Sequence, residues 1–392
     1  MKKRILFVLP AFTYGGTVFS TLNMISFLPK KEYDVQVFAM TQQGPVKEYY
    51  SNINILPECL LVSALLGKVN KEKRIYKKIL FVIIKAFSKL LGFIGIDFPM
   101  IAYRIVSKSI QRKNQYDIVA SCQEGDSTYC ASCFKNVKKI AWFRSEYNVY
   151  KNQLSKIVFQ KEQRIYRTFD NIVCVSQTTR DDFCSFFKDI SENIIAIHNI
   201  QNVENIVLKS AQHVDDPFDK CVFNIVSVGR IAPQKRFASI PKIAANLKRN
   251  TILFKWYIIG DGNVQGENDR LQDEIENCDV GDVVICKGSR LNPYPYIKNA
   301  DLIVVPSYYE ACPRVVIESK ILHTPVVAAN FSSAREFVEN DVDGYVDKLE
   351  NLTSHIVSLI SDKGLYDRIK SACNKYEMDN EAIYMKLHSL LS

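Results

Sequence analysis

The densest group of residues able to do chemistry is the run Tyr-Tyr-Glu-Ala-Cys-Pro-Arg-Val-Val-Ile-Glu, from Tyr308 to Glu318. It follows a strand-like stretch, Asp301 to Ser307. Pro313 suits the first position of a helix, which would turn the N–H groups of Arg314 to Val316 toward Glu310. Glu310 then sits on the loop, and Glu318 lies about one and a half turns into the helix. Carboxylates so placed suit a sugar, because one carboxylate accepts hydrogen bonds from two neighbouring hydroxyls. Spacing alone also allows a surface ion pair between Glu318 and Arg314, worth about 0.3–0.5 kcal/mol.

Cations stand in a comparable place. The strand-like Val226-Ser227-Val228-Gly229 ends in Arg230, and Lys235 and Arg236 follow where a helix begins. A diphosphate needs fixed cations, and each charge-assisted hydrogen bond contributes about 1.5–3 kcal/mol. Lys235 and Arg236 also read as solvated first-turn residues, although the helix dipole disfavours cations there. Near the N-terminus, Gly15 and Gly16 join a first strand to a helical pattern over Val18 to Leu28. Such a turn exposes N–H groups to a phosphate or sugar oxygen, and equally serves as a tight turn.

These residues need a frame whose strands end beside one another. Short β-rich runs recur at Arg4–Pro10, Asp34–Met40, Tyr116–Cys122, Lys139–Arg144, Asn171–Ser176 and Ile194–Asn199, with helical patterns between them. The pattern restarts at Phe223–Gly229 and continues at Phe254–Gly260, Val283–Gly288, Asp301–Ser307, Val326–Ala329 and Gly344–Asp347. Strands alternating with helices predict parallel sheets covered on both faces, with ligands beyond the carboxyl ends of the strands. Val203–Lys220, which holds Asp215, Asp216 and Pro217, reads as a linker. The expectation is an α/β chain of two doubly wound, Rossmann-like domains facing each other across a cleft. They span 1–203 and 204–375, with a last helix over 376–392 packing back on the first.

Composition fits that frame. With 392 residues, 47% of them hydrophobic and 11% aromatic, the chain has material for two packed cores. The apolar run Ile5–Leu9 after Lys2, Lys3 and Arg4 is stopped by Pro10, so it reads as a strand and not as a signal peptide. Eleven cysteines, an odd number scattered through strand-like segments, point to a reducing compartment. Cys130 and Cys133 form one C-x-x-C without a second pair at metal-ligand spacing, so cysteine reads here as a small apolar residue.

The net charge of +9 is concentrated. Lys68 to Lys113 carries twelve basic residues against Glu72 and Asp97, a local balance of +10. On a helical wheel Lys71, Arg74, Lys77, Lys78, Lys85 and Lys89 fall on one side. Ile75, Ile79, Val82, Ile83, Ala86, Leu90 and Phe93 fall on the other. Such a segment suits an anionic membrane surface, and it also suits a solvated face over a core-packing stripe. No aromatic residues interleave with the basic stripe as a single-strand nucleic-acid binder requires.

Taken together these segments resemble the retaining family 4 glycosyltransferases of the GT-B fold, the "glycosyl transferases group 1" of bacterial polysaccharide biosynthesis. The resemblance runs over nearly the whole chain. Val228-Gly229-Arg230 with Lys235 looks like the family's glycine-arginine and lysine pair, and Glu310 to Glu318 like its E-x7-E motif. Ile259-Gly260-Asp261-Gly262, Asn299-Ala300-Asp301, Thr324-Pro325-Val326-Val327 and Glu336 match its internal landmarks. Gly15-Gly16, Val175-Ser176 and His198-Asn199 fit its N-terminal domain.

The resemblance implies transfer of a hexose-type sugar from a UDP or GDP donor to a polysaccharide or lipid-linked oligosaccharide. Anomeric configuration would be retained, and neither a metal nor a cofactor is implied beyond the nucleotide sugar as co-substrate. Arg230 and Lys235 would bind the donor diphosphate, Glu318 the ribose and Glu310 the transferred sugar, so that Glu310, Arg230 and Lys235 carry catalysis. The implied donor-binding set also holds Gly16, Gly229, Gly288, Ser289, Arg290, Ala311, Cys312, Arg314, Val315 and Val316, the base being read near Gly288 to Arg290. Gly15, Arg144 and Glu146 fall on the acceptor side. The location implied is the cytoplasm, peripherally on the inner face of the membrane, held there by residues 68–113.

Two departures bear on the sugar. Ala311-Cys312 stands where glycine usually follows the first glutamate, which would narrow the sugar pocket or alter the choice of donor. Arg144 stands where many members place a histidine, which suits an acidic sugar or a phosphate. Competing readings are an epimerase or phosphorylase of the same fold, which would act on a nucleotide sugar without an acceptor, and a non-catalytic nucleotide-sugar-binding subunit.

Overall fold

A computed structural model describes residues 2–13, 15–214, 216–262 and 264–392. Tyr14 and Asp215 lie outside the described residues. The chain divides into two compact units, residues 1–201 with 380–392, and residues 202–379.

The first unit is built on seven parallel strands, β1 (Lys3–Leu9), β2 (Tyr33–Ala39), β3 (Asn54–Ile55), β4 (Ile118–Ser121), β5 (Lys138–Phe143), β6 (Asn171–Cys174) and β7 (Ile194–Ala196). Their order across the sheet is β3-β2-β1-β4-β5-β6-β7. Strand β1 lies inside the sheet, and its Ile5–Leu9 are wholly buried, as an unbroken apolar run in a two-sided sheet must be. Helix α1 (Gly16–Phe27) follows β1, and α2 (Leu60–Leu66), α3 (Ile75–Phe93) and α4 (Phe98–Lys113) follow β3. The chain's last helix, Asn380–Leu391, returns to this unit. Lys3 and Lys138 donate to its terminal carbonyls of Leu391 and Leu390 at 3.0 and 2.6 Å, positions that favour cations.

The second unit carries β8 (Phe223–Val228), β9 (Phe254–Ile259), β10 (Val284–Gly288), β11 (Leu302–Val305), β12 (Val326–Ala329) and β13 (Gly344–Asp347). They are all parallel, in the order β10-β9-β8-β11-β12-β13. The order reverses between β8 and β11, which makes their carboxyl ends a topological switch point, where open α/β sheets bind ligands. Strand β8 pairs with β9 over six residues but with β11 only at Ile225 and Val226. Beyond Val226 the two part, and the Ser227 hydroxyl spans the gap by donating to the Val304 carbonyl at 2.7 Å.

Two expectations need correction. Val203–Ser210, read as linker, is a helix capped by Asn202, whose side chain accepts from the N–H of Asn205 at 3.0 Å. Its apolar face reaches the core through Ile206. The apolar stripe of residues 75–93 does form a helix, but only Lys77 and Phe81 of that helix are buried. The stripe therefore does not pack on the core as an ordinary amphipathic helix does. Strand β3 was not expected at all, since two residues carry no pattern.

Candidate functional site

In the second unit the loops after β8 and β11 are tied together. Gln234 accepts the N–H of Tyr308 on its backbone carbonyl at 2.8 Å and donates its side-chain amide to the carbonyl of Tyr309, also at 2.8 Å. Lys235 lies in a 3-10 turn, Pro233–Lys235, and not in the first turn of an α-helix as its sequence suggested. The helix proper runs Ile240–Arg249. The turn ends in Arg236, whose left-handed backbone, φ 53°, turns its guanidinium over the ring of Tyr308, 4.3 Å from the centroid. Lys235 is thereby aimed the other way, and its ammonium meets Glu310 Oε1.

The turn needs glycine at two places. Gly229 has φ 157°, in the region that favours glycine, and its N–H donates to Ile259 at 3.0 Å. A Cβ on Gly260 would fall on the Gly229 carbonyl oxygen, so only glycine lets β9 pass this close. The following residue, Arg230, is exposed, and its side chain makes no hydrogen bond or ion pair among the described residues.

Each carboxylate of the pair is held by one oxygen. Glu310 Oε1 accepts from Lys235 and from the hydroxyl of Ser307 at 2.8 Å, and the Glu310 carbonyl accepts from Ser333 at 2.6 Å. Glu318 Oε1 accepts from Arg314 at 2.8 Å and from the Tyr294 hydroxyl at 3.4 Å. Neither Oε2 has a partner among the described residues. Both side chains are largely buried, 10% and 8% exposed, yet neither Oε2 is shut off from solvent, so each remains open to a donor from a ligand. The Arg314–Glu318 ion pair that spacing allowed does form, but on a buried carboxylate and not as a surface pair. Pro313 precedes the helix Arg314–Ile321, and its carbonyl already accepts from Val316 at 3.0 Å, so the Val316 N–H is not directed at Glu310. The side chains of Val315 and Val316 are buried in the core, which leaves them only backbone to offer a ligand. Ala311 and Cys312, which lie between the two carboxylates in sequence, are half-buried.

Gly288 ends β10, with Ser289 and Arg290 just beyond it, and the Gly288 carbonyl accepts from Gly260 at 3.0 Å. Arg290 is engaged through Nε to the Tyr296 hydroxyl and Nη2 to Asp216, both at 3.0 Å. Asp216 also takes Lys287 at 2.9 Å and the Tyr296 hydroxyl. Partial burial pushes the Asp216 carboxyl up, but those three hydrogen bonds outweigh it and hold it well below the usual range.

In the first unit the order reverses between β1 and β4. Gly15 caps α1 and Gly16 opens it after β1, while Cys122 to Gly125 follow β4. Arg144, after β5, is held by that second loop. Its Nε donates to the Cys122 carbonyl at 2.7 Å, its Nη1 to Asn199 at 2.6 Å, and its backbone N–H to Glu124 at 3.1 Å. Glu146 opens the short helix Tyr147–Lys151, with its carbonyl accepting from Tyr150 at 2.9 Å. Gly15, Gly16, Arg144 and Glu146 thus belong to one unit, and the remaining candidates to the other.

Four residues escaped the sequence reading: Glu124, Asp216, Tyr294 and Ser307 as a partner of Glu310. Glu124 carried a usable signal, since it follows a strand and precedes Gly125. The others act across 3 to 80 residues of chain, with no local pattern to mark them.

The chain matches the family model "Glycosyltransferase Family 4" over residues 14–204 and "Glycosyl transferases group 1" over residues 209–376. It is 23% identical to an uncharacterised glycosyltransferase of Haemophilus influenzae, covering 93% of this chain and 92% of that protein. It is 26% identical to the UDP-Gal:alpha-D-GlcNAc-diphosphoundecaprenol alpha-1,3-galactosyltransferase of Escherichia coli, over 39% of this chain and 40% of that one. Its fold matches the Anabaena protein HepE crystallised with UDP, with a TM-score of 0.72 at 16% identity over 100% and 99% of the two chains.

Proposed function

Since the chain belongs to the family 4 glycosyltransferases and has the GT-B fold, we propose that it moves a hexose from a UDP or GDP donor to a sugar hydroxyl with retention of configuration. The acceptor in this reading is a growing polysaccharide or a lipid-linked oligosaccharide. The observation that carries it is the pair of half-satisfied carboxylates that follow β11 at the β8/β11 switch point, with Arg230 following β8.

Arg230 is free to take the diphosphate, and Lys235 reaches it from Glu310 Oε1. Glu310 Oε2 then accepts a hydroxyl of the transferred sugar, while Glu318 Oε2 accepts from the ribose. The bond between the sugar C1 and the β-phosphate oxygen breaks, and the acceptor oxygen bonds to C1 on the same face. The acceptor proton passes to the departing diphosphate. Arg230 and Lys235 supply there the positive charge that a divalent metal supplies in other transferases, and they act on charge that grows in the transition state. Names among the relatives and neighbours support UDP and a lipid diphosphate acceptor: UDP-galactose and a diphosphoundecaprenol for the E. coli enzyme, UDP for HepE.

Thermal unfolding against a panel of nucleotide sugars tests this reading. A matched donor at about 100 times its Kd adds about 2.7 kcal/mol of stability and raises the midpoint by several degrees. If no nucleotide sugar and no nucleoside diphosphate moves the midpoint, the reading fails.

A further inference from the structure

Helix α3 turns a stripe of large apolar side chains to solvent. Ile75, Ile79, Val82, Ile83, Phe87, Leu90 and Phe93 are exposed, Ile83 by 59% and Leu90 by 63%. Ile94 and Ile96 extend the stripe into the turn that follows. The side facing the protein is partly basic: Lys77 pairs with Glu58 at 2.5 Å, and Lys85 donates to the Leu65 carbonyl at 2.8 Å. Helix α4 packs alongside through Phe98, whose ring meets Phe87 edge-on at 5.3 Å. One exposed face of α4 repeats the theme at i, i+3, i+4 and i+7 with Ile101, Arg104, Ile105 and Lys108.

An apolar patch of this extent is uncommon on a monomeric soluble surface and calls for an occupant. Charge decides which one. At about 100° per residue, Lys78 and Lys89 line one flank of the stripe, where lysine stems can lie along apolar surface with their heads at its border. The segment as a whole is +10, and one of its two acids, Asp97, is already paired with Lys161 at 2.7 Å. A second copy docking on this face would set two strongly positive segments against each other, whereas anionic lipid complements them. No helix among the described residues is long and apolar enough to cross a membrane, so α3 would lie in the interface.

We propose that the exposed apolar face of α3, with the outer face of α4, inserts into the headgroup–acyl boundary of an anionic bilayer. Insertion of that face carries the binding, and the lysine flank selects the lipid. This surface lies wholly in the first unit and is independent of the transfer reaction assigned to the second.

The test is co-sedimentation of the full chain with phosphatidylcholine vesicles containing phosphatidylglycerol, compared with pure phosphatidylcholine. Binding is expected to be at least about tenfold tighter to the anionic vesicles. The Ile79→Ser/Ile83→Ser/Leu90→Ser variant, which alters only exposed positions, is expected to bind at least about a hundredfold more weakly with its unfolding midpoint unchanged. Both native tryptophans, Trp142 and Trp256, are buried, so Ile83→Trp adds a clean probe whose emission is expected to shift to the blue on the vesicles. The proposal is overturned if the serine variant binds as tightly as the parent, if the added tryptophan does not shift, or if the parent ignores vesicles. It is equally overturned if the parent is a dimer that the serine substitutions dissociate, which would give the face to a second copy.

Discussion

Replacing Glu310 with alanine is expected to lower the turnover of sugar transfer about 10²–10³-fold, equivalent to about 2.7–4 kcal/mol of transition-state stabilisation. Binding of the nucleoside diphosphate should change less than about threefold. The split follows from the two oxygens. Oε1 is fixed by Lys235 and Ser307, so Oε2 is presented rigidly, and a hydrogen bond from it to the sugar acts where charge develops at C1. The nucleotide part of the donor touches other groups in this account. Glu310→Gln keeps the shape but weakens the anchor to Lys235, and should fall between the alanine variant and the parent. Initial rates and calorimetric titration with UDP or GDP read the two effects separately. An alanine variant within about fivefold of the parent rate would remove Glu310 from the site.

The second large effect is expected at the cations. Arg230→Ala should weaken donor binding about 10–100-fold, the worth of one or two charge-assisted hydrogen bonds to phosphate, with no change in the unfolding midpoint. That combination is informative because Arg230 is exposed and its side chain makes no hydrogen bond or ion pair among the described residues. Lysine at 230 should restore only part of the affinity, since it loses the planar fork that meets two phosphate oxygens. Lys235→Ala should be worse for turnover than Arg230→Ala, because it removes a phosphate ligand and also releases Glu310 Oε1. Equal donor affinity in parent and Arg230→Ala, measured by calorimetry, would place the diphosphate elsewhere.

The sheets were legible because buried parallel strands need unbroken apolar runs. Leu302–Val305, entered from Asp301 and left at Pro306, is such a case. The segment Val203–Ser210 hid because Asp215, Asp216 and Pro217 downstream read as linker chemistry, although Asn202 with Asn205 carried a capping signal. In the site, residue types and spacing marked the carboxylates and cations, but not which oxygen each uses. That choice depends on Ser307, Tyr294 and Arg314 meeting them in three dimensions, and an ion pair at i and i+4 looks the same in sequence whether buried or solvated. For α3 the two faces were legible from periodicity. Which face meets the protein was not, because Glu58 and the Leu65 carbonyl, which draw Lys77 and Lys85 inward, lie outside that helix.

Glu124 extends the account to the first unit. Its carboxylate accepts from Ser145 and from the Arg144 backbone, while the Arg144 guanidinium is bound to Cys122 and Asn199. Arg144 is thus fixed in place by the loop after β4 and by Asn199, both of its own unit.

The linkage formed in a complete reaction decides whether this chain transfers sugar with retention. Given an α-linked nucleotide hexose and a saccharide or lipid-linked hydroxyl acceptor, the chain is expected to make an α-glycosidic bond and release equimolar nucleoside diphosphate, both followed by proton NMR, and to consume the donor only slowly when the acceptor is withheld. A β-linked product, or donor consumed equally fast without acceptor, would contradict retaining transfer.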